Sequence, residues 1–144
     1  MLHFNRKTEY ALIAMEHMLR KAEKEAAALT STREVAEAYQ IPYPLLAKVL
    51  QQLASKGIIK SVHGTKGGYI MVKQPEDISV ADVVEIFEGP WAVAECFKEE
   101  KITCPQWDDC RIKTPLYDLN HKIYHMLAGT SIADLANGHT GTKA

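Results

Sequence analysis

Cys96, Cys104 and Cys110 stand inside a fifteen-residue stretch, with seven and then five residues between them, and the 144-residue chain has no other cysteine. Thiolates are soft ligands, so three sulfurs drawn from one loop suit a borderline or soft metal or an iron-sulfur centre. The spacing lacks the two-residue knuckle of most structural zinc sites, and scattered cysteines also serve as small buried hydrophobes. An odd count argues against a disulfide framework. Lys98, Glu99, Glu100, Asp108, Asp109 and Arg111 make the segment too polar to be core. His17, His121 and His125 are also metal-ligand types, but lone histidines on helices are ordinarily surface or core residues. Trp107 and Phe97 either shield a bound group or anchor the loop. No Ser-His-Asp or paired-carboxylate arrangement is legible. The glycines of 64–68 are not followed by the helix that a phosphate-binding loop requires, so the chain does not read as an enzyme.

The elements that must position these residues are mainly helical. Leu12, Met15 and Leu19 recur at helical spacing, flanked by Ala11, Ala14 and Met18. A second helix starts in the Thr30-Ser31-Thr32 cluster, whose hydroxyls can cap it, and is expected to bury Val35, Ala36 and Tyr39. Ile41-Pro42-Tyr43-Pro44 breaks it. Pro44 fits the first turn of a third helix with Leu46, Val49, Leu50 and Leu53 on its apolar face. Two β-prone runs, 58–62 and 69–72, flank a tip whose three glycines, Gly64, Gly67 and Gly68, allow positive φ. The runs therefore predict a hairpin. Val80, Val83, Val84 and Phe87 mark a fourth helix ending at Gly89-Pro90. After Pro115 a long helix carries the stripe Leu116, Leu119, Ile123 and Leu127, and Ser131 caps a last short turn. This is the layout of a winged helix-turn-helix, mainly α with a small β-hairpin wing, followed by a long C-terminal helix whose stripe can pack internally or against another subunit. The expected units are 1–75 for DNA binding, 76–90 as a connecting helix, 91–113 as the cysteine-bearing loop, 114–136 for dimerisation, and a frayed tail at 137–144.

Hydrophobic residues at 47% and charged residues at 24% describe a chain that folds. The net charge of −1 conceals a division. Residues 1–73 hold eleven Lys and Arg against six Asp and Glu, whereas 74–144 hold six against twelve. No acidic residue lies between Glu37 and Glu76, while Lys48, Lys56, Lys60, Lys66 and Lys73 fall on the third helix and the hairpin. Phosphate contacts require that sign. The face of the third helix opposite its leucines offers Tyr43, Lys48, Gln51, Gln52 and Ser55, and Gln suits adenine in the major groove. On the wing, Lys60, His63 and Lys66 complete the expected contact set. An ordinary solvated helix face has the same composition, so charge alone decides nothing. No run approaches the roughly 18 apolar residues of a membrane span, and Arg6, Lys7, Glu9 and Glu16 interrupt any signal-peptide core. A cytoplasmic protein without a membrane partner is expected.

Lys7-Thr-Glu-Tyr-Ala11, Ile41-Pro42, Leu53-Ala-Ser-Lys-Gly57-Ile-Ile-Lys-Ser-Val62, Gly67-Gly68-Tyr69 and Ser131-Ile-Ala-Asp-Leu135 resemble, in order and spacing, the IscR/NsrR/RirA family of bacterial winged-helix repressors. The resemblance spans residues 2 to about 136. It implies a homodimeric regulator of transcription on a palindromic operator, with the stripe Leu116, Leu119, Ile123 and Leu127 as the dimer contact. It also implies an iron-sulfur cluster, 2Fe-2S or 4Fe-4S, on Cys96, Cys104 and Cys110. The IscR-type fourth ligand, a His three residues after the last cysteine, is here Lys113. NsrR-like members instead use a carboxylate of the partner subunit at the start of the first helix, which matches Glu9. His63 stands where the family usually has a wing Arg. A cluster-free thiol or zinc switch, and an interaction protein built on a winged helix, are the alternatives.

Overall fold

A computed structural model of the chain describes residues 3–98 and 104–138. Helix α1 (Arg6–Lys24) is capped by Asn5, whose side chain accepts a hydrogen bond from the Thr8 amide at 2.9 Å, and it buries Ala11, Ala14, Met15 and Met18. Helix α2 (Thr32–Tyr39) is capped by Ser31 and buries Val35 and Ala36, whereas Tyr39, at its end, stays 41% exposed. The turn into α3 (Tyr43–Ser55) runs through Ile41 and Pro42. Gln40 ends α2 in the left-handed conformation at φ 55°, and α3 begins at Tyr43 with Pro44 inside its first turn.

Strands β1 (Ile59–Val62) and β2 (Gly68–Met71) pair antiparallel, with Ile59 opposite Met71 and Val62 opposite Gly68. Thr30 pairs with the other edge of β2, its N–H and C=O both bonded to Tyr69 at 3.0 and 2.8 Å. The glycines of the wing do different work from that expected. Gly64 alone of the three has positive φ, at 145°. Gly68 is instead a close approach, because a Cβ there would lie 2.9 Å from the Thr30 carbonyl oxygen.

Helix α4 (Val80–Glu88), helix α5 (Lys113–Ala128) and short helix α6 (Ile132–Ala136) follow, with single turns of 3-10 helix at Pro75–Asp77 and Glu95–Phe97. Ser79 with Asp82, and Ser131 with Asp134, form two reciprocal capping boxes. The boxes lie side by side: the Val80 amide donates to the Thr130 carbonyl and the Ile132 amide to that of Ile78, both at 2.8 Å. One continuous core results. Met15, Leu46, Leu50, Leu53 and Ile59 share it with Ile78, Val83 and Ile132. The front unit expected at 1–75 is therefore closed by α4 and α6, and the terminal turn belongs to that core rather than to the long helix before it. Of the expected frayed tail, Asn137 and Gly138 continue from α6 as a turn, and 139–144 lie outside the described residues. No helix among the described residues is long and apolar enough to cross a membrane.

Candidate nucleic-acid interface and sensor loop

Helix α3 turns Leu46, Val49, Leu50 and Leu53 into the core, which leaves Lys48, Gln51 and Ser55 on its exposed face and Tyr43, 52% exposed, at its start. Gln52 departs from the expected set. It sits 100° round the helix from Gln51, and its side-chain amide donates to the Ile86 carbonyl at 3.0 Å, so it faces α4 rather than a groove. The Ser55 hydroxyl donates to the Gln52 carbonyl at 2.7 Å, yet the residue remains exposed. On the wing Lys60, His63 and Lys66 are all exposed.

Between the starts of α2 and α3 and the wing runs an open cleft of about 320 Å³, lined by Ser31, Thr32, Arg33, Tyr43 and His63 among others. Hydroxyls, a guanidinium and the free amides of a helix N-terminus suit a backbone phosphate. Reading α3 and the wing alone misses Arg33 and Thr32. The signal available for them is their place in the first turn of the helix before the reading helix.

Two rigid ties hold this face. The His17 ring bonds the Glu34 carboxylate at 2.7 Å through Nε2 and the Tyr39 hydroxyl at 2.9 Å through Nδ1. Lys21 donates to the same carboxylate and to the Leu29 carbonyl, each at 2.6 Å. Burial pushes the Glu34 carboxyl up, but the bonds and charge of Lys21 and His17 outweigh it and hold the group below the usual carboxylate range. His17 thus locks α2 onto α1.

Cys96, Cys104 and Cys110 are free, half-buried thiols. Cys104 donates weakly to the Gln106 side chain at 3.5 Å. The loop is anchored at several points. Lys113 donates to the Trp107 carbonyl at 2.7 Å and lies 4.5 Å from the centre of the Trp107 ring. Phe97 meets Tyr117 edge-on at 5.6 Å, and the Val93 amide donates to Asn120 at 2.8 Å. Trp107 and Phe97 therefore anchor the loop. Lys113, where an IscR-type His would stand, clamps Trp107. Glu99 and Glu100 lie outside the described residues. Among the described residues no three Cys, His, Asp or Glu side chains converge as metal ligands. The donor types fit a soft metal centre, but in the single chain the three sulfurs are not gathered round one point. Glu9, in the first turn of α1, pairs with Arg6 at 3.2 Å and is 41% exposed.

Helix α5 has no fully buried residue. Its expected stripe divides in two. Leu127 lines an apolar cleft with Phe4, Trp91 and Ile123, and also faces Ala81 and Val84 of α4. Leu119 points away at 45% exposure, in line with Ile112 at 61% and Met126 at 62%, which the sequence reading omits. Leu116 and Ile123, half-buried, lie between the two sides.

Three helices, a paired wing and a basic reading face define a winged-helix DNA-binding regulator. The chain belongs to the Rrf2 family, described as iron-dependent transcriptional regulators, whose pattern it matches over residues 4–138. It is accordingly a regulator of transcription and not an enzyme, and regulators of this family bind DNA and are dimeric. It is 31% identical over 137 residues to the HTH-type transcriptional regulator NsrR of Shouchella clausii, covering 95% of this chain and 92% of that one. The solved structure of CymR, the global cysteine regulator of B. subtilis, superposes with a TM-score of 0.74 at 24% identity, covering 96% and 98% of the two chains. That of T. potens IscR does so at 0.69 and 24%, covering 99% and 93%.

Proposed function

We propose that this chain is a homodimeric repressor of palindromic operators whose DNA affinity is set by an iron-sulfur cluster responding to nitric oxide, iron or redox state. The carrying observation is the placement of three free, half-buried thiols on one anchored loop, directly between the helix that contacts the reading helix and the helix with an unpartnered apolar stripe. Similarity to NsrR supports it. Cys96, Cys104 and Cys110 supply the soft ligands, and the partner subunit's Glu9 the hard one. A bound cluster supplies electron exchange and reactivity toward small oxidants. Cys96, Cys104 and Cys110 would hold it, and its occupancy would depend on the loop bringing the three sulfurs together.

Lys48 and Gln51 read base edges, while Tyr43, Ser55, Lys60, His63 and Lys66 meet the backbone together with Arg33 and Thr32. The stripe of Leu119 with Leu116 and Ile123 joins the subunits and sets the two reading helices about one turn of DNA apart. Anaerobic purification with analysis of iron and acid-labile sulfide tests the cluster, with Cys104→Ala as the control that loses it. A colourless protein with neither element after reconstitution refutes it.

A second reading is a direct thiol switch, favoured by the sulfurs that do not converge in the single chain and by likeness to CymR. Reversible loss of operator binding on mild oxidation of iron-free protein, abolished by Cys→Ser changes, distinguishes it.

A further inference from the structure

An α-helix leaves its last four carbonyls without partners in the helix, and water or side chains must satisfy them. At the end of α4 that task falls to other elements of the fold. Gln52 of the reading helix donates to the Ile86 carbonyl at 3.0 Å, and the Asn5 side chain, at the start of α1, donates to that of Phe87 at 3.1 Å. The Glu88 carboxylate accepts from the Thr8 hydroxyl at 2.7 Å and from the Asn5 amide at 3.3 Å, and Thr8 is fully buried. The next residue, Gly89, has φ 73° and ψ −159°, a conformation essentially restricted to glycine, and from it the cysteine-bearing loop departs. The final turn of α4 is therefore bonded at once to the reading helix, to the first helix and to the root of the loop.

We propose that this turn is the joint through which the loop controls DNA affinity, with Gln52 as the positioning residue on the reading helix and Asn5 its counterpart on α1. A pull on the loop acts first at Gly89. It displaces the Ile86 and Phe87 carbonyls, and the side chains bonded to them carry α3 and α1 along. The adjacent glutamines thus divide the labour: Gln51 faces outward, and Gln52 sets the angle at which Gln51 is presented.

The joint itself is tested without any cluster, by a double-mutant cycle read as Kd for an operator fragment selected from random duplexes. Gly89→Ala strains only the backbone, since no atom lies within 4 Å of the added Cβ. Gln52→Met keeps the side-chain length and removes the donor. Both lower affinity, and together they depart from additivity by about fivefold or more. Agreement with additivity within about twofold overturns the proposal. Gln52→Lys restores a donor toward a helix C-terminus and recovers the wild-type preference for operator over random duplex, a ratio that the added charge alone does not raise, which keeps the test available should Gln52→Met fold poorly. If its preference is no better than that of Gln52→Met, the hydrogen bond is not the link.

The signal carried by the joint rests on the sensor reading above. For that part, cluster-loaded and stripped protein are titrated with the same fragment. A wild-type difference that disappears in Gln52→Met supports the route, and one that persists unchanged in it overturns the route. A non-additive cycle in a wild type that ignores its loading state refutes the sensor and upholds the joint.

Discussion

Truncating Leu119 weakens the dimer, and truncating Leu127 weakens the fold, although both belong to one stripe in the sequence. Fully burying a leucine side chain contributes about 1.5 to 3 kcal/mol. In the single chain Leu119 keeps 45% of its surface exposed, so a partner has about 1 kcal/mol left to gain from covering it. Two-fold symmetry counts the contact twice. Leu119→Ala is expected to destabilise the dimer by about 2 kcal/mol, roughly a 30-fold rise in its dissociation constant. Leu127 is half-buried on the side of α5 that faces Trp91 and α4. Leu127→Ala therefore removes contacts within one subunit, lowers unfolding stability by about 2 kcal/mol, and changes the dissociation constant little. Sedimentation equilibrium across a dilution series measures the first quantity, and urea unfolding at one fixed high concentration the second, so that mass action does not mix them. A dissociation constant for Leu119→Ala within about twofold of wild type, or an equal rise for Leu127→Ala, refutes the division of α5 into an inner and an outer face.

Lys66→Ala weakens binding about equally on operator and random duplex and reduces the salt slope by about one, whereas Gln51→Ala relaxes preference at particular bases; filter binding at several salt concentrations separates them. Gly68→Ala forces a methyl to within 2.9 Å of the Thr30 carbonyl oxygen and destabilises the fold by about 1 to 3 kcal/mol in urea unfolding, with loss of the Thr30 to Tyr69 pairing. Because Glu34 is held below its ordinary value near 4.5, the folded protein binds fewer protons there than the unfolded chain. Its contribution is complete above that value and is lost as pH falls through the lowered one; urea midpoints measured downward from about pH 5 decline more steeply in wild type than in Glu34→Gln.

The order of elements is legible because each carries a local signal: helical spacing in α1, a proline in the first turn of α3, glycines between two β-prone runs, an apolar period ending at Gly89-Pro90 in α4, and a serine cap before α6. Long-range choices are not. Gln52 lies beside Gln51 in sequence, and only the position of α4 reveals that one of them is bonded inward. Gly67 and Gly68 read as residues chosen for positive φ, whereas close approach of another backbone segment decides Gly68. The apolar period of α5 marks a stripe but cannot tell its inner edge from its outer one, because both Leu119 and Leu127 have the same chemistry. Arg33 and Thr32 join the basic face only through the turn that brings α2 beside the wing. For the cysteines, sequence supplies three ligands of the right type, and the fold supplies anchors around them, Lys113 on Trp107 and Phe97 on Tyr117, without drawing the sulfurs together.

The two ends of α4 are held by different partners, and that difference gives the proposed joint its leverage. The N-terminal end is fixed by its own capping box and by paired backbone bonds to α6. Displacement imposed at Gly89 therefore emerges as a tilt about that end rather than a slide of the whole helix. With nine residues, α4 is about 13 Å long, so a shift of about 1 Å at its last turn is a tilt of about 4°. If the reading heads stand one DNA turn apart, each lies about 17 Å from the dimer axis, and a head turned through that angle about the axis would move by about 1 Å. A hydrogen bond to a base edge weakens steeply over such a distance. The loop therefore need not unfold or release the reading helix. A small change of angle, transmitted through Gln52, is sufficient to spoil the register of two heads at once.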